Sequence, residues 1–148
     1  MPRVLGLLFI LFLLATPPLR AAEPPLVRIV STDFVLPAKF EQLGQWAVDA
    51  GYQLDWRRVE SPASAIPLDG VAMLIVDSPR PADRAAIEKA LGSLDQLATP
   101  WLAVGGGATG FGHLDPAVAR QLIGYYAGGG EPNLRAFVAA LPRAASRP

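Results

Sequence analysis

The chain contains no cysteine and a single histidine, His113. Without cysteine there is no disulfide, no thiolate metal site and no cysteine nucleophile. One histidine also excludes a metal site built from several histidines of one chain. Basic and acidic residues number 13 each and form no run of like charge, so the sequence does not indicate a nucleic-acid partner.

The apolar content is high enough for one packed core. The 148 residues are 51% hydrophobic and 18% charged, which is too apolar for a disordered chain and fits one domain of roughly 100–200 residues. The 15 prolines and 14 glycines predict many turns. We expect a single folded domain over residues 23–142 and a flexible tail over residues 143–148.

Residues 1–22 have the pattern of a secretory signal peptide. Arg3 precedes a nearly continuous apolar run from Val4 to Ala15, and a Thr-Pro-Pro break and two alanines follow it. Charge, short apolar stretch and small residues in this order are typical of cleaved signals. The run is shorter than the roughly 20 residues that span a bilayer. We expect export, to the periplasm; an uncleaved N-terminal anchor and a misassigned start codon are the alternatives.

Apolar runs that alternate with amphipathic stretches predict a parallel sheet covered on both faces. The predicted strands cover residues 26–32, 53–59, 71–76 and 101–104. The third is continuously apolar, as expected of a central strand buried on both faces. We predict a small flavodoxin-like α/β fold of about four strands in the order 2-1-3-4, with the second strand at an edge. The link from the second to the third strand is short for a parallel crossover, which usually needs a dozen or more residues.

Helices are expected after the first and third strands and as a pair at the C-terminal end. The helix after the third strand should run from Pro81 to the break at Thr99-Pro100, since apolar residues keep helical spacing throughout. Asp115-Pro116 marks the start of the next helix, which a run of glycines ends. Pro132 should open the last helix.

Candidate ligand-binding residues follow the predicted strands, because ligands bind at the carboxyl ends of open parallel sheets. They are Asp33, Asp77, Ser78, Gly105, Gly106, Gly107 and His113. Two carboxylates on neighbouring strand ends suit a cation or an acid–base pair. Capping of the following loops explains them more simply, and it is the interpretation we favour. A hydrolase that uses Ser78 or Asp77 is a minor alternative.

The glycine-rich segment from Gly105 to Gly112 contains a G-x-G-x-x-G string. Such loops cradle phosphate when a helix follows directly, but here no helix is expected before Asp115 and no Lys-Ser or Lys-Thr follows. We therefore expect a flexible link between the sheet and the helices. His113, in the same loop, is either a proton carrier, one ligand of a shared site or, as we expect, an ordinary loop residue.

The segment from Leu122 to Phe137 resembles a signature of the large chelatase subunit family, which comprises the CobN-type cobaltochelatase subunit and its magnesium-chelatase relatives. Members carry a helix, a Y-x-x-G-G-x-x-N turn and a second helix near the end of their N-terminal α/β region. The turn positions are filled here by Tyr126, Gly129, Gly130 and Asn133. The order of strands and helices upstream is also similar, so the resemblance covers about residues 26–141.

The resemblance implies a link to cobalt insertion into a tetrapyrrole in cobalamin biosynthesis, with ATP used by partner subunits. Members are much longer than this chain, so no catalytic residue is carried over, and we expect no cofactor and no metal in the chain itself. It would be an N-terminal fragment or a standalone relative of such a subunit, with other chelatase subunits or a membrane metal-uptake system as partners. Export separates it from ATP, so an exported non-catalytic ligand-binding or protein-interaction domain is the alternative.

Overall fold

The computed structural model of the protein describes residues 23–33, 38–60, 64–78, 80–105 and 109–141. The predicted signal peptide and the predicted tail lie outside these residues. Within them, no helix is long and apolar enough to cross a membrane.

Five strands in the described part form one sheet with the order β2-β1-β3-β4-β5. They are β1 (Leu26–Ser31), β2 (Gln53–Arg58), β3 (Val71–Asp77), β4 (Trp101–Val104) and β5 (Gly110–Gly112). Strands β1 to β4 pair in parallel, and β5 pairs antiparallel with β4. The predicted α/β fold and the flavodoxin-like order 2-1-3-4 are confirmed, with β2 at an edge. Strand β5 lies in the segment predicted to be a flexible link, so that prediction is wrong for these three residues.

Four α-helices flank the sheet in the described part. They are α1 (Ala38–Asp49), α2 (Pro81–Leu91), α3 (Pro116–Gly124) and α4 (Gly130–Ala140). Helix α2 is shorter than predicted because Gly92 turns the chain with a φ of +86°, and Leu94–Gln96 then forms a separate 3-10 turn. Helix α4 begins at Gly130 instead of Pro132.

Each face of the sheet carries its own hydrophobic core. Side chains of α1, α3 and α4 pack on one face, hereafter the α1 face, and those of α2 pack on the other, the α2 face. Residues of β1 alternate between them: Ile29 faces the first and Val30 the second, and both are completely buried. Burial of one such side chain stabilises the fold by about 1.5–3 kcal/mol. Burial on both faces explains why β3 is continuously apolar.

The short link from β2 to β3 packs on the α2 face in its described part, where Val59, Ile66 and Leu68 contact that core. It must pass β1, which lies between the two strands and runs parallel to both. The Ile66 backbone N–H donates to the Ala90 carbonyl of α2 at 3.1 Å, and the Arg28 guanidinium donates to the Pro67 carbonyl. The described part of the link thus needs no helix of its own, which removes the difficulty over its length.

Candidate functional site

The carboxyl ends of β1, β3 and β4 lie side by side, and we call this side of the sheet the carboxyl edge. Asp77 is the last residue of β3, and Ser78 follows it. The Ser78 N–H donates to the carbonyl of Val104, the last residue of β4, at 3.0 Å. Gly105 continues from there, and Asp33 follows β1 after one residue. Four of the predicted site residues are therefore gathered at one edge.

The glycine loop after β4 is described only at its first predicted site residue. Gly106 and Gly107 lie outside the described residues. Their neighbour Gly105 is partly exposed and has a φ of +104°, a conformation that glycine adopts far more readily than other residues. The chain therefore turns sharply as it leaves β4 at the carboxyl edge.

A row of polar side chains crosses the sheet just inside this edge. Arg58, Ser31 and Asp77 stand in register on β2, β1 and β3, and we call them the polar row. Residues in register on parallel strands point to the same face, and the row lies two residues beyond Ile29, so it is on the α1 face. The buried Ser31 hydroxyl accepts a hydrogen bond from Trp56 Nε1 at 2.9 Å. The sequence did not single out Arg58 or Ser31.

Exposure separates the residues that a ligand can reach from those beneath them. Asp77 and Ser78 are only 3% and 2% exposed, whereas Arg58, Asp33 and Gly105 are partly exposed. Arg58 and Asp77 both have partners within the protein. A ligand at the carboxyl edge therefore meets Arg58, Asp33 and Gly105, and the buried Ser78 is poorly placed to act as a nucleophile.

An ion pair at the start of α2 lies at the same edge. Asp83, which is 5% exposed, accepts hydrogen bonds from Arg80 Nε at 2.8 Å, Nη2 at 2.7 Å and the backbone N–H at 3.0 Å. These bonds to Arg80 lower the pKa of Asp83 against the opposing effect of burial. The nearby Thr32 hydroxyl lowers the pKa of Asp83 further. The ionised Asp83 thus already occupies the positive N-terminal end of α2.

The same contacts act on the arginine of this pair. The hydrogen bond and the charge of Asp83 raise the pKa of Arg80, and Asp33 adds a smaller contribution in the same direction. The Arg80 side chain remains 74% exposed. The carboxyl edge therefore presents a permanently charged guanidinium to solvent, with Asp33 near it.

His113 lies at the opposite side of the sheet, the amino edge. Because β5 runs antiparallel to β4, it carries the chain back until Gly112 pairs with Trp101, the first residue of β4. The exposed His113 then lines a cavity of about 160 Å³ together with Ala72 and Pro100. The prediction that groups His113 with the strand-end residues is therefore wrong, and a Ser78–His113 pairing is excluded by the fold.

The glycines of β5 serve the packing of Trp101. A Cβ atom on Gly112 would overlap the Trp101 indole nitrogen, and one on Gly110 would lie 3.5 Å from Cη2 of the same ring. The indole therefore lies across the backbone of β5. Gly110 is the last glycine of the G-x-G-x-x-G string, so this end of the string belongs to a strand and does not open a helix.

The turn that carries the chelatase resemblance, Tyr125–Gly129, is a kink between α3 and α4, where Gly128 leaves the helical conformation with a φ of +95°. The Asn133 side chain is packed against it: a Cβ atom on Gly129 would overlap the Asn133 amide and would lie 2.6 Å from the Gly124 carbonyl oxygen. Gly130 has a φ of +65°. The glycines and the asparagine thus fix the shape of the turn. The side chain of Tyr126 is outside the described part.

This turn points toward the carboxyl edge. Helix α3 begins at the amino edge, where Asp115 and Val118 line the cavity beside His113, and the C-terminal residue of α4, Ala140, lines the same cavity. The two helices pack against each other, so their connecting turn lies at the far end of the pair. The turn and the polar row are therefore on the same face and toward the same edge of the sheet.

No protein-family model, no curated protein and no solved structure matches the chain. Within the described residues, no group of three or more histidine, aspartate and glutamate side chains is arranged to hold a metal ion. The candidate site therefore lies at the carboxyl edge and consists of Arg58, Arg80, Asp33 and the turn between α3 and α4.

Proposed function

We propose that this protein is a relative of the N-terminal domain of the CobN-type cobaltochelatase large subunit and binds a tetrapyrrole at the carboxyl edge, in support of cobalt insertion in cobalamin biosynthesis. One observation carries the proposal: the turn that resembles the chelatase signature and the polar row lie at the same end of the molecule. The turn is the feature that resembles that family, and the row is a polar feature on the same face and toward the same edge.

The charges at the carboxyl edge suit the side chains of such a ring. Tetrapyrrole intermediates are flat and apolar and carry carboxylates at their periphery. Arg58 and Arg80 place two positive charges there, and a guanidinium forms charge-assisted hydrogen bonds with carboxylate. Arg80 already binds Asp83 through Nε and Nη2, so it would attract a ring carboxylate by its charge and its remaining N–H groups. Asp33 faces the same region and selects against ligands whose anionic groups approach it.

The role we propose is binding without catalysis. The carboxylate and hydroxyl best placed for chemistry, Asp77 and Ser78, are buried, and His113 lies at the other edge. The predicted export also separates the protein from ATP. The domain would then hold or pass on the ring, with partner chelatase subunits or a membrane metal-uptake system performing the energy-dependent step.

A titration tests this proposal. The purified protein is titrated with a porphyrin, with a metal-free corrin and, separately, with Co²⁺, while the absorbance of the ring and the tryptophan fluorescence are followed. We expect one ring to bind at micromolar concentration and to quench Trp56, which contacts the polar row through Ser31. Co²⁺ alone should leave the fluorescence unchanged. In Trp56→Phe, the absorbance change should persist while most of the quenching disappears. Absence of binding by either ring would contradict the proposal.

A second candidate is an exported protein-interaction domain. It is favoured by Phe111, which is 42% exposed on β5, one of the two edge strands of the sheet. A photo-crosslinker at position 111 should then capture a specific partner, whereas one at Val48, which is 59% exposed on α1, should not. Equal capture at both positions would contradict this candidate.

A further inference from the structure

Strand β2 is open along its outer side. Its only neighbour in the described sheet is β1, and α1 packs over one of its faces. None of its six residues is buried, whereas most residues of β1, β3 and β4 are. The strand contains no proline or glycine, and it pairs with β1 without a bulge. Proteins usually block such a regular edge strand against further pairing, so the outer side of β2 is a candidate interaction surface.

The outward backbone groups of β2 belong to alternate residues. The N–H of Gln53 donates to the Pro25 carbonyl at 2.9 Å, and the N–H of Val59 donates to the Ser31 carbonyl at 2.8 Å. In a parallel pair, alternate residues of one strand bond to the same neighbour. The odd-numbered residues from 53 to 59 therefore face β1. The N–H and C=O groups of the even-numbered residues point away from the sheet, and these residues are Leu54, Trp56 and Arg58.

Antiparallel pairing with a second copy uses all of these groups in one symmetric register. With the two-fold axis at Trp56, this residue pairs with the partner's Trp56, and Leu54 pairs with the partner's Arg58. Every outward N–H and C=O group of both strands then has a partner. The same register places Asp55 opposite the partner's Arg57 on the α2 face. That pair is of the kind without mutual backbone bonds, in which the side chains approach most closely.

Charge opposes the two neighbouring symmetric registers. With the axis at Asp55, its carboxylate would face the partner's Asp55, and with the axis at Arg57, two guanidinium groups would meet. Like charges directly opposite each other destabilise an antiparallel pair, whereas opposite charges stabilise it. The register with complementary charges is therefore the same one that pairs every outward backbone group.

Asp55 is able to accept a second arginine while it keeps its own contacts. Its side chain is 26% exposed, and the bonds from Arg28 Nε at 2.9 Å and from Arg57 Nε at 3.0 Å both go to Oδ2. The carboxylate thus has its second oxygen, Oδ1, to offer to a partner. The Arg57 side chain is 59% exposed and carries further N–H groups beyond Nε.

We propose that the protein forms a symmetric dimer in which β2 pairs antiparallel with β2 of a second copy and joins the two sheets into one. Arg58 contributes only its backbone to this interface, and the two carboxyl edges lie at opposite ends of it. The dimer therefore forms whether or not a ring binds. One strand pair is a small interface for a specific contact, so we expect a dissociation constant of about 10–1,000 μM.

Sedimentation equilibrium of the purified protein over this concentration range tests the proposal. We expect a monomer–dimer equilibrium. Arg57→Glu sets carboxylates against each other at both symmetric pairs and should weaken the dimer by about tenfold or more. The matched control is Arg120→Glu, because Arg120 is exposed on α3 and the change in charge is the same. It should leave the dissociation constant unchanged. Both variants should unfold close to the wild-type urea concentration, because exposed charge pairs add little to stability.

A distance measurement tests the register itself. The chain has no cysteine, so Gln53→Cys gives one position per copy for a nitroxide label, at an exposed residue. In the proposed register Gln53 stands opposite the partner's Val59, and the two labelled positions are about 20 Å apart along the strands. An axis at Asp55 or at Arg57 would give about 14 or 27 Å instead. We expect pulsed electron paramagnetic resonance to give the 20 Å separation.

Three results would overturn the proposal. The first is a protein that stays monomeric over the whole concentration range. The second is an Arg57→Glu variant that dimerises as tightly as the wild type. The third is a dimer whose label separation matches another register or a different surface.

Discussion

Replacement of Gly129 by alanine is a sharp test of the turn between α3 and α4. The added methyl group would overlap the Asn133 amide and approach the Gly124 carbonyl oxygen to 2.6 Å. Gly129 itself has an ordinary helical backbone, with a φ of −71°. The substitution therefore introduces a packing conflict without any backbone strain, and the two effects can be separated by experiment.

The expected size follows from two opposing contributions. An extra methyl group in a well-packed site destabilises by about 1–3 kcal/mol, whereas alanine in place of a helical glycine stabilises by about 0.5–1 kcal/mol. We expect a net loss of about 1–2 kcal/mol in the free energy of unfolding. Asn133→Ala removes one of the two colliding groups, so the loss caused by Gly129→Ala should shrink in that background. It should not vanish, because the Gly124 carbonyl oxygen remains.

Urea unfolding followed by circular dichroism measures this double-mutant cycle. Gly128→Ala is the control: Gly128 has a φ of +95° and open space where its Cβ would lie. Its substitution costs backbone strain alone and should add to Asn133→Ala within about 0.3–0.5 kcal/mol. If Gly129→Ala is neutral, or if it combines additively with Asn133→Ala, the packing of Asn133 against the turn is wrong.

Two more predictions concern stability elsewhere in the fold. Arg80 lowers the pKa of Asp83 in the folded state. The contribution of Asp83 to the free energy of unfolding is therefore present above its unfolded pKa of about 3.9, and it is lost as the pH falls through its folded-state pKa. Asp83→Asn should therefore destabilise by about 1 kcal/mol at pH 7, and the gap to the wild type in urea unfolding should narrow below about pH 4; a constant gap down to pH 2 would contradict this. Gly112→Ala should displace the Trp101 indole, which should lower stability by about 1–3 kcal/mol and change the near-UV circular dichroism. Gly110→Ala is the control and should change neither the stability nor the spectrum. Equal effects of the two substitutions would contradict the packing of Trp101 against Gly112.

The parts of the fold that the sequence predicts are those with strong local signals. The apolar run of β3 identifies the centre of the sheet, and the helix start at Asp115 is correct because its carboxylate accepts a hydrogen bond from the Ala117 N–H at 2.7 Å. Helix α2 is predicted too long because Leu94 and Leu97 continue the apolar spacing beyond Gly92. Both leucines contact the core of the α2 face, but Leu94 does so from the separate 3-10 turn and Leu97 from the segment after that turn.

Features that depend on tertiary contacts escape the sequence. The segment Gly-Phe-Gly of β5 has no strand signal, and the packing of Trp101 against its glycines provides the reason for it to pair. Asp33 and Asp77 are found because strand ends are local features. Arg58 is missed because strand register decides which residue of β2 stands beside Ser31. His113 is misplaced because the unpredicted β5 returns the chain to the amino edge.

The central claim is that a ring binds at the carboxyl edge on the α1 face, and two adjacent arginines of β2 test it most directly. Arg58 belongs to the polar row, whereas Arg57 points to the opposite face and pairs with Asp55 at 3.0 Å. The measurement is the dissociation constant of the tightest-binding ring for wild type, Arg58→Gln and Arg57→Gln. We predict a loss of about 10–100-fold for Arg58→Gln, as for a charged hydrogen bond, and a change of less than about twofold for Arg57→Gln. Equal losses in both variants, or none in Arg58→Gln, would contradict ring binding at this edge.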